Sequence, residues 1–239
     1  MFIAGAYRYS DKSEYPIPLD SIVSSMAQGL LHRNKQCYYI KDNEICFVSN
    51  NEHKSPSDLI PIYSGQFFNM EELRAQLSIP NDSSCETVLK TAYKKWSYDF
   101  TSHIAGEFAI AIYDKINHRL FLSRDRVGLK PLYYCYDDAM LIFASEVKAL
   151  LKARKKRTIN FSSLHSGIVF GSVYSREHPV EGVYELRAGN NLTMNSQSKI
   201  PAIHKYWDRV FNIVKHPFPY YAKEFKRLLN EAVKYVGIK

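Results

Sequence analysis

The strongest nucleophiles in this chain are four thiols, Cys37, Cys46, Cys85 and Cys135. No two of them form a CxxC pair and no histidine stands at ligand spacing beside them, so the pattern predicts neither a zinc site nor a redox pair. Spread through a chain with no secretory leader, they read as reduced thiols in or near cores. A second cluster of chemistry-bearing residues is Arg124-Asp125, followed by Gly128 and by Lys130-Pro131. Adjacent opposite charges at a strand end can fix a turn by charge-assisted hydrogen bonds. Gly128 permits a positive φ and Pro131 stiffens the next strand's entry. This reads as a structural device rather than a catalytic pair. The densest cationic run, residues 148–157 (KALLKARKKR), could grip nucleic acid or an acidic peptide. A helix end followed by a solvated loop explains it as well. No zinc-finger, RRM or helix-turn-helix pattern accompanies it, so nucleic acid is not an expected partner. There is no Walker pattern and no GxGxxG, so this chain is not expected to bind ATP.

The elements that must position these residues are short strands punctuated by helices. Residues 2–9 read as a strand, and residues 20–32 as a helix with Ile22, Met26, Leu30 and Leu31 on one face. Alternation over residues 36–48 around Lys41-Asp42-Asn43-Glu44 predicts a hairpin. Residues 60–68 read as strand, tight turn at Ser64-Gly65, strand. A short helix follows behind an Asn69 cap, then an amphipathic one over residues 85–96. Close-set strands at 108–114, 119–123, 131–136 and 140–144, helices at 145–152 and 162–170, and an extended stretch at 184–193 complete the pattern. Short turns make the strands antiparallel, so the fold class is α+β with layered antiparallel sheets. The polar stretch from Asn195 is the best candidate boundary. Beyond it, a helix over residues 221–235 carries an apolar stripe of Phe225, Leu228, Leu229, Ala232, Val233 and Val236.

Composition sets the bounds. The chain has 239 residues, 32 Lys and Arg against 24 Asp and Glu, and a formal charge of +8. Its 46% hydrophobic and 23% charged residues exclude a disordered chain. No apolar run approaches the ~20 residues of a membrane span. The expectation is a soluble, cytoplasmic protein with no membrane partner and no metal site.

Three motifs in order carry a family resemblance: GEFAIAIYD at 106–114, SRDRVGLKPLYY at 123–134 and FASEVKAL at 143–150. They resemble the N-terminal, class II glutamine amidotransferase (Ntn-type) domain of asparagine synthetase and its relatives. Weaker likenesses lie at Ile3-Ala4-Gly5, His32-Arg33, Ser64-Gly65, Glu72-Leu73-Arg74 and Gly182-Val183-Tyr184. The resemblance implies a sandwich of two antiparallel β-sheets between helices. It also implies a glutaminase that releases ammonia with a cysteine at the second encoded position, its free α-amine acting as base.

Here the sequence departs from that pattern. Phe2 stands at the nucleophile position and has no nucleophilic atom. The family's oxyanion-binding Asn-Gly is Ser64-Gly65, and serine donates from a shorter, differently placed group. The arginine that clamps the glutamine carboxylate aligns near residues 49–53, where there is none. The aspartate that holds the substrate amine aligns with Cys85, with Glu86 one position off. The His-Arg-Gly-Pro loop reads His32-Arg33-Asn34-Lys35. Together these predict an abandoned glutamine pocket.

The resemblance implies three segments: a degenerate amidotransferase-like domain at 1–194, a linker at 195–219, and at 220–239 the first helix of an ATP-dependent synthetase domain. The chain ends before any ATP loop. ATP and magnesium are therefore expected only in that absent domain, or in a split subunit that is this chain's partner. The uncovered stripe of Phe225, Leu228, Leu229 and Val233 predicts self-association when alone. Some family members have lost the glutaminase and kept the amide-forming half, as in β-lactam synthetase and the lasso-peptide macrolactam synthetases. The preferred reading is of that kind, lasso-peptide cyclase-like, with a precursor peptide as partner for a basic domain holding 18 Tyr and 13 Phe. Alternatives are an asparagine synthetase fragment using free ammonia and a non-enzymatic interaction module.

Overall fold

The computed structural model describes residues 1–10, 17–33, 36–52, 57–154, 157–173, 178–198 and 200–237, without the side chains of Tyr235 and Val236. The chain opens with β1 (Ile3–Arg8), α1 (Leu19–Gln28) and the hairpin of β2 (Tyr38–Lys41) and β3 (Ile45–Ser49). Next come β4 (Leu59–Phe67), α2 (Met70–Leu77), α3 (Cys85–Trp96) and a 3-10 turn, Ser97–His103. Then follow β5 (Gly106–Asp114), β6 (Arg119–Arg124), β7 (Tyr133–Tyr136), β8 (Met140–Ala144), α4 (Val147–Ala153) and α5 (Phe161–Phe170). The last elements are β9 (Tyr184–Glu185), β10 (Asn190–Asn195), β11 (Ala202–Lys205) and α6 (Phe218–Val236).

The strands form two antiparallel sheets, one of six in the order β2-β3-β1-β8-β7-β9 and one of five in the order β11-β10-β6-β5-β4. Side chains point to opposite sheet faces with period two, and the central strands of each sheet are buried on both faces. On β5, Ala109, Ala111 and Tyr113 enter the core between the sheets. The intervening Phe108, Ile110 and Ile112 pack toward α3 with Val88, Leu89, Ala92 and Tyr93. On β1, Ile3 and Tyr7 face the inter-sheet core. Phe2, Ala4 and Ala6 face Val23, Met26 and Leu30 on the α1 side, together with Ala149 and Leu150 of α4. The molecule is thus a sandwich of two sheets between helices, and the α+β reading holds. Gly5 has a steric reason: a Cβ there would lie 2.5 Å from the Phe47 ring and 2.7 Å from Phe143.

Four local expectations are corrected. First, no tight turn separates two strands at Ser64-Gly65. β4 runs unbroken, with Ser64 opposite Ala109 and Gly65 opposite Phe108, and Gly65 absorbs the distortion at φ 123°. Second, Asn69 does not cap α2 with its side chain. Its amide donates to the His103 carbonyl (2.9 Å) and accepts from Ala105 N–H (2.9 Å), tying α2 to the start of β5. Third, the stretch after Asn195, expected as a linker, contains β11, which pairs with β10 from Ala202↔Thr193 to Lys205↔Asn190. Tyr206 and Trp207 then donate backbone hydrogen bonds to the Gly189 carbonyl. Fourth, the helix expected at 221–235 begins earlier, at Phe218, and its stripe is exposed: Phe225 68%, Leu228 51%, Leu229 50% and Val233 42%.

Candidate functional site

The candidate nucleophile position lies where β1 begins, paired with the end of β3. Phe2 is fully buried in the cluster facing α1, and its backbone N–H donates to Asn50 Oδ1 at 2.6 Å. Ile3 N–H donates to Ser145 Oγ (3.0 Å), and Ser145 N–H returns to the Ile3 carbonyl (2.9 Å). The strand start is therefore held on both sides, by the end of β3 and by the residue after β8.

From there a hydrogen-bonded path crosses to the second sheet. Ser49 pairs with Ile3, and its Oγ accepts from Asn51 N–H at 3.2 Å. The Asn51 amide donates to the Tyr63 carbonyl on β4 at 2.9 Å. The Tyr63 side chain and Cys85, at the first turn of α3, pack against the same core cluster. Burial first, and Cys85 second, push the Tyr63 phenol well above its ordinary range. Of the residues singled out from sequence, Ser64 is buried at 2% exposure and, by the alternation of β4, shares the inter-sheet face with Ile60 and Ile62, whereas Cys85 lies with Tyr63 on the α3 face, so the two are not brought together. Phe2 lies on the helix side of the other sheet. Asn50, Asn51 and Tyr63 were not singled out. The one signal for them is the Ser49-Asn50-Asn51 run at a strand end, where such side chains bond nearby backbone.

The glutamine-handling groups are otherwise engaged. Glu86 is paired to Lys90 one helical turn on, at 2.6 Å. Among the described residues no histidine or carboxylate is hydrogen-bonded to the Cys85 thiol, the partner that a nucleophilic thiol needs. Gly65 keeps a backbone that only glycine tolerates: a Cβ would sit 1.9 Å from the Glu107 carbonyl oxygen. Glu107 itself pairs with Lys130 at 2.7 Å. Of the segment aligned with the carboxylate clamp, His53 lies outside the described residues, as do Asn34 and Lys35 of the His-Arg loop. Arg33 donates to the Met1 carbonyl (3.4 Å) and pairs with Glu146. His32 and Lys148 approach the same carboxylate at 3.1 Å each. Burial works against the ionised Glu146, but hydrogen bonds from Lys148 and Arg33 outweigh it and hold the carboxyl below its usual range.

Arg124 and Asp125 grip one loop from two sides. The fully buried Asp125 carboxylate accepts from the backbone N–H of Val127, Gly128 and Leu129 on Oδ1 and of Lys130 on Oδ2, at 2.6–3.1 Å. The Phe108 N–H is farther, at 3.4 Å. Arg124 donates to the carbonyls of Gly128, Lys130 and Leu186 at 2.8–2.9 Å and to Glu185 at 2.5 Å. Gly128 takes φ 76° in that loop. Among the described residues no group of three His, Cys, Asp or Glu could hold a metal ion, and no helix is long and apolar enough to cross a membrane.

Comparison with known proteins matches this geometry to one family. Residues 50–207 match the model of a glutamine amidotransferase domain, a span that takes in β11. A protein of Methanocaldococcus jannaschii named as a glutamine-hydrolysing asparagine synthetase is 28% identical over 206 residues, covering 82% of this chain and 39% of its own length. Asparagine synthetase 3 of Bacillus subtilis is 33% identical over 159 residues, 62% of this chain and 25% of the relative. The amidase chry2 of Gibberella zeae is 30% identical over 162 residues, 65% and 23% respectively. This chain therefore spans well under half the length of these relatives. The fold also matches the glutamine phosphoribosylpyrophosphate amidotransferase of B. subtilis, with TM-score 0.60 and 15% identity over 88% of this chain and 50% of that one.

Proposed function

Since the chain belongs to the glutamine amidotransferase domain family, in the form that begins asparagine synthetases, we propose that it has lost the glutaminase reaction and serves as the non-catalytic first domain of an ATP-dependent amide-forming enzyme. The observation that carries this is Phe2: at the head of β1, where the family's chemistry needs a thiol, a phenyl ring fills the core toward α1. Covalent glutaminase chemistry requires attack on the amide carbon, an acyl-enzyme and release of ammonia. Neither Phe2 nor Cys85 supplies the first step. Ser64 in place of an amide donor and Lys90 on Glu86 remove further support for a bound glutamine.

In this reading the domain keeps the fold and the Arg124–Asp125 loop for scaffolding or for holding a substrate peptide. The carboxylate is activated by ATP and magnesium in another domain or subunit, which covers the stripe of α6. An internal amine then attacks, as in a macrolactam cyclase acting on a precursor peptide. A second reading is an asparagine synthetase that uses free ammonia; the names of the relatives support its asparagine synthetase half, and those names say glutamine-hydrolysing. The test of the lost reaction is ammonia release from millimolar glutamine. The expected result is none, and none from Phe2→Cys either, because the substrate clamps are absent too. Turnover by the parent, or robust turnover by Phe2→Cys, would overturn the reading. Purification with the chain's natural partner and assay with free ammonia and aspartate separates the second reading from the first.

A further inference from the structure

The five-stranded sheet ends at β11, and this edge is unlike its opposite. At the other end, β4 is buried along most of its length and carries Pro61, which lacks the N–H an added strand would need. On β11 all four residues are exposed. Among the described residues its backbone pairs only with β10, so one edge of donors and acceptors is left open.

The same four residues line two hollows. Ala202, Ile203 and His204 help wall a hollow of about 460 Å³ together with the aromatic Trp96 and Tyr98 and the carboxylate of Asp99. Lys205 helps wall a second, of about 820 Å³, together with Arg126, Arg187, Arg209, Trp207 and Phe211. Both volumes fall in the range of natural binding sites. Arginine and lysine outnumber carboxylates in the lining of the second hollow. Its two carboxylates are matched, Glu185 by Arg124 at 2.5 Å and Asp208 by Lys205 at 2.8 Å. Arg126 donates to the Ser102 carbonyl (2.7 Å), yet its Nε is buried without a partner. Arg209 lies over the Phe211 ring at 5.9 Å.

We propose that an extended acidic peptide segment docks here by adding a strand to β11, its apolar side chain entering the Trp96–Tyr98 hollow and its carboxylates the arginine hollow. Strand addition draws affinity from main-chain hydrogen bonds and specificity from pockets that take alternate side chains. Guanidinium groups suit carboxylates through paired N–H donors. Basic and aromatic groups together also suit single-stranded nucleic acid, but an open strand edge pairs with a peptide backbone, not with sugar and phosphate. The proposal goes beyond the reading of the glutamine pocket and holds whether or not that pocket is active.

The test uses the full chain and a fluorescein-labelled peptide of alternating valine and glutamate with one central phenylalanine, followed by fluorescence anisotropy. Saturable micromolar binding is expected. Arg209→Glu, which alters an exposed residue outside any strand, should weaken it about tenfold. Arg126→Glu with Arg209→Glu should weaken it further, with circular dichroism to check the fold. Two further peptides carry N-methyl groups on one or the other alternate set of amides, and one of the two should lose binding. The proposal is overturned by any of four results: no saturable binding at millimolar peptide, equal binding of both N-methylated peptides, indifference to the charge reversals, or tighter binding of an oligothymidylate of equal charge.

Discussion

Replacing Asp125 by alanine should be the most damaging single change on the motif loop. The carboxylate accepts four short backbone hydrogen bonds, from Val127, Gly128, Leu129 and Lys130, and a longer one from Phe108. Hydrogen bonds to a charged group contribute about 1.5–3 kcal/mol each. A plain sum overshoots, because Val127 and Leu129 are 57% and 60% exposed and their N–H groups regain water. The donors that stay starved are those nearer the sheet, and Arg124, 8% exposed, loses its neighbouring negative charge. Breaking a buried charged network of this kind costs about 3–5 kcal/mol. Asp125→Asn keeps the shape but turns one oxygen into a donor facing donors, and should cost about 2–3 kcal/mol. Urea unfolding followed by far-ultraviolet circular dichroism reads this directly. With a slope of about 2–3 kcal/mol per molar urea, the alanine variant's midpoint should fall by about 1–2 M. Asp99→Ala, at an exposed position, is the control and should stay within about 0.5 kcal/mol. If Asp125→Ala unfolds within about 1 kcal/mol of the parent, the loop is held by something other than this carboxylate and the argument fails.

Three more outcomes are expected. In native protein a thiol reagent should label Cys37 and Cys85 first. Cys46 and Cys135, buried and with thiols pushed by burial to about 11 and about 12, should react only on unfolding; rapid labelling of Cys135 would refute its placement. Glu146 has a folded pKa below the unfolded 4.5, so its contribution is present above that value and lost as pH falls through the folded one. Glu146→Gln should thus cost about 0.5–1 kcal/mol at neutral pH and nothing well below pH 4.5, checked by urea midpoints at both. Changing Leu228 and Leu229 together to Asp should abolish self-association in size-exclusion chromatography while the sheets stay folded. A monomeric parent and an unfolded variant would instead place the α6 stripe in this domain's own core.

Much of the fold was legible because its signals are local. The 41–44 turn set the β2–β3 hairpin, with Asp42 N–H closing on the Ile45 carbonyl at 2.9 Å, and the spacing of Val88, Leu89, Ala92 and Tyr93 set the buried face of α3. What misled was punctuation that tertiary pairing overrides. Ser-Gly reads as a turn, but at Gly65 the pairing with β5 continues through a positive φ. Asn69 reads as a cap, but its amide has a better use between two elements. The strand β11 is too short and polar to stand out, and only β10 reveals it. In the candidate site Phe2, Ser64 and Cys85 could be named from sequence. Asn51 and Tyr63 could not, because the path between β1 and β4 exists only once both sheets are in place.

The position of β1 sets a timetable for assembly. It precedes the other strands described here in sequence, yet it lies in mid-sheet, bonded to β3 on one side and β8 on the other, and the bonds between Ile3 and Ser145 span 142 residues. β4, β5 and β6 close on one another within a shorter stretch of chain. Contacts distant in sequence form late because long loops must close first. The growing chain should therefore hold β1 half-paired with β3, its β8 edge exposed, until β8, some 140 residues further along, has been made. During that interval the β8-facing edge of β1 is open to chaperones and to mispairing with another chain.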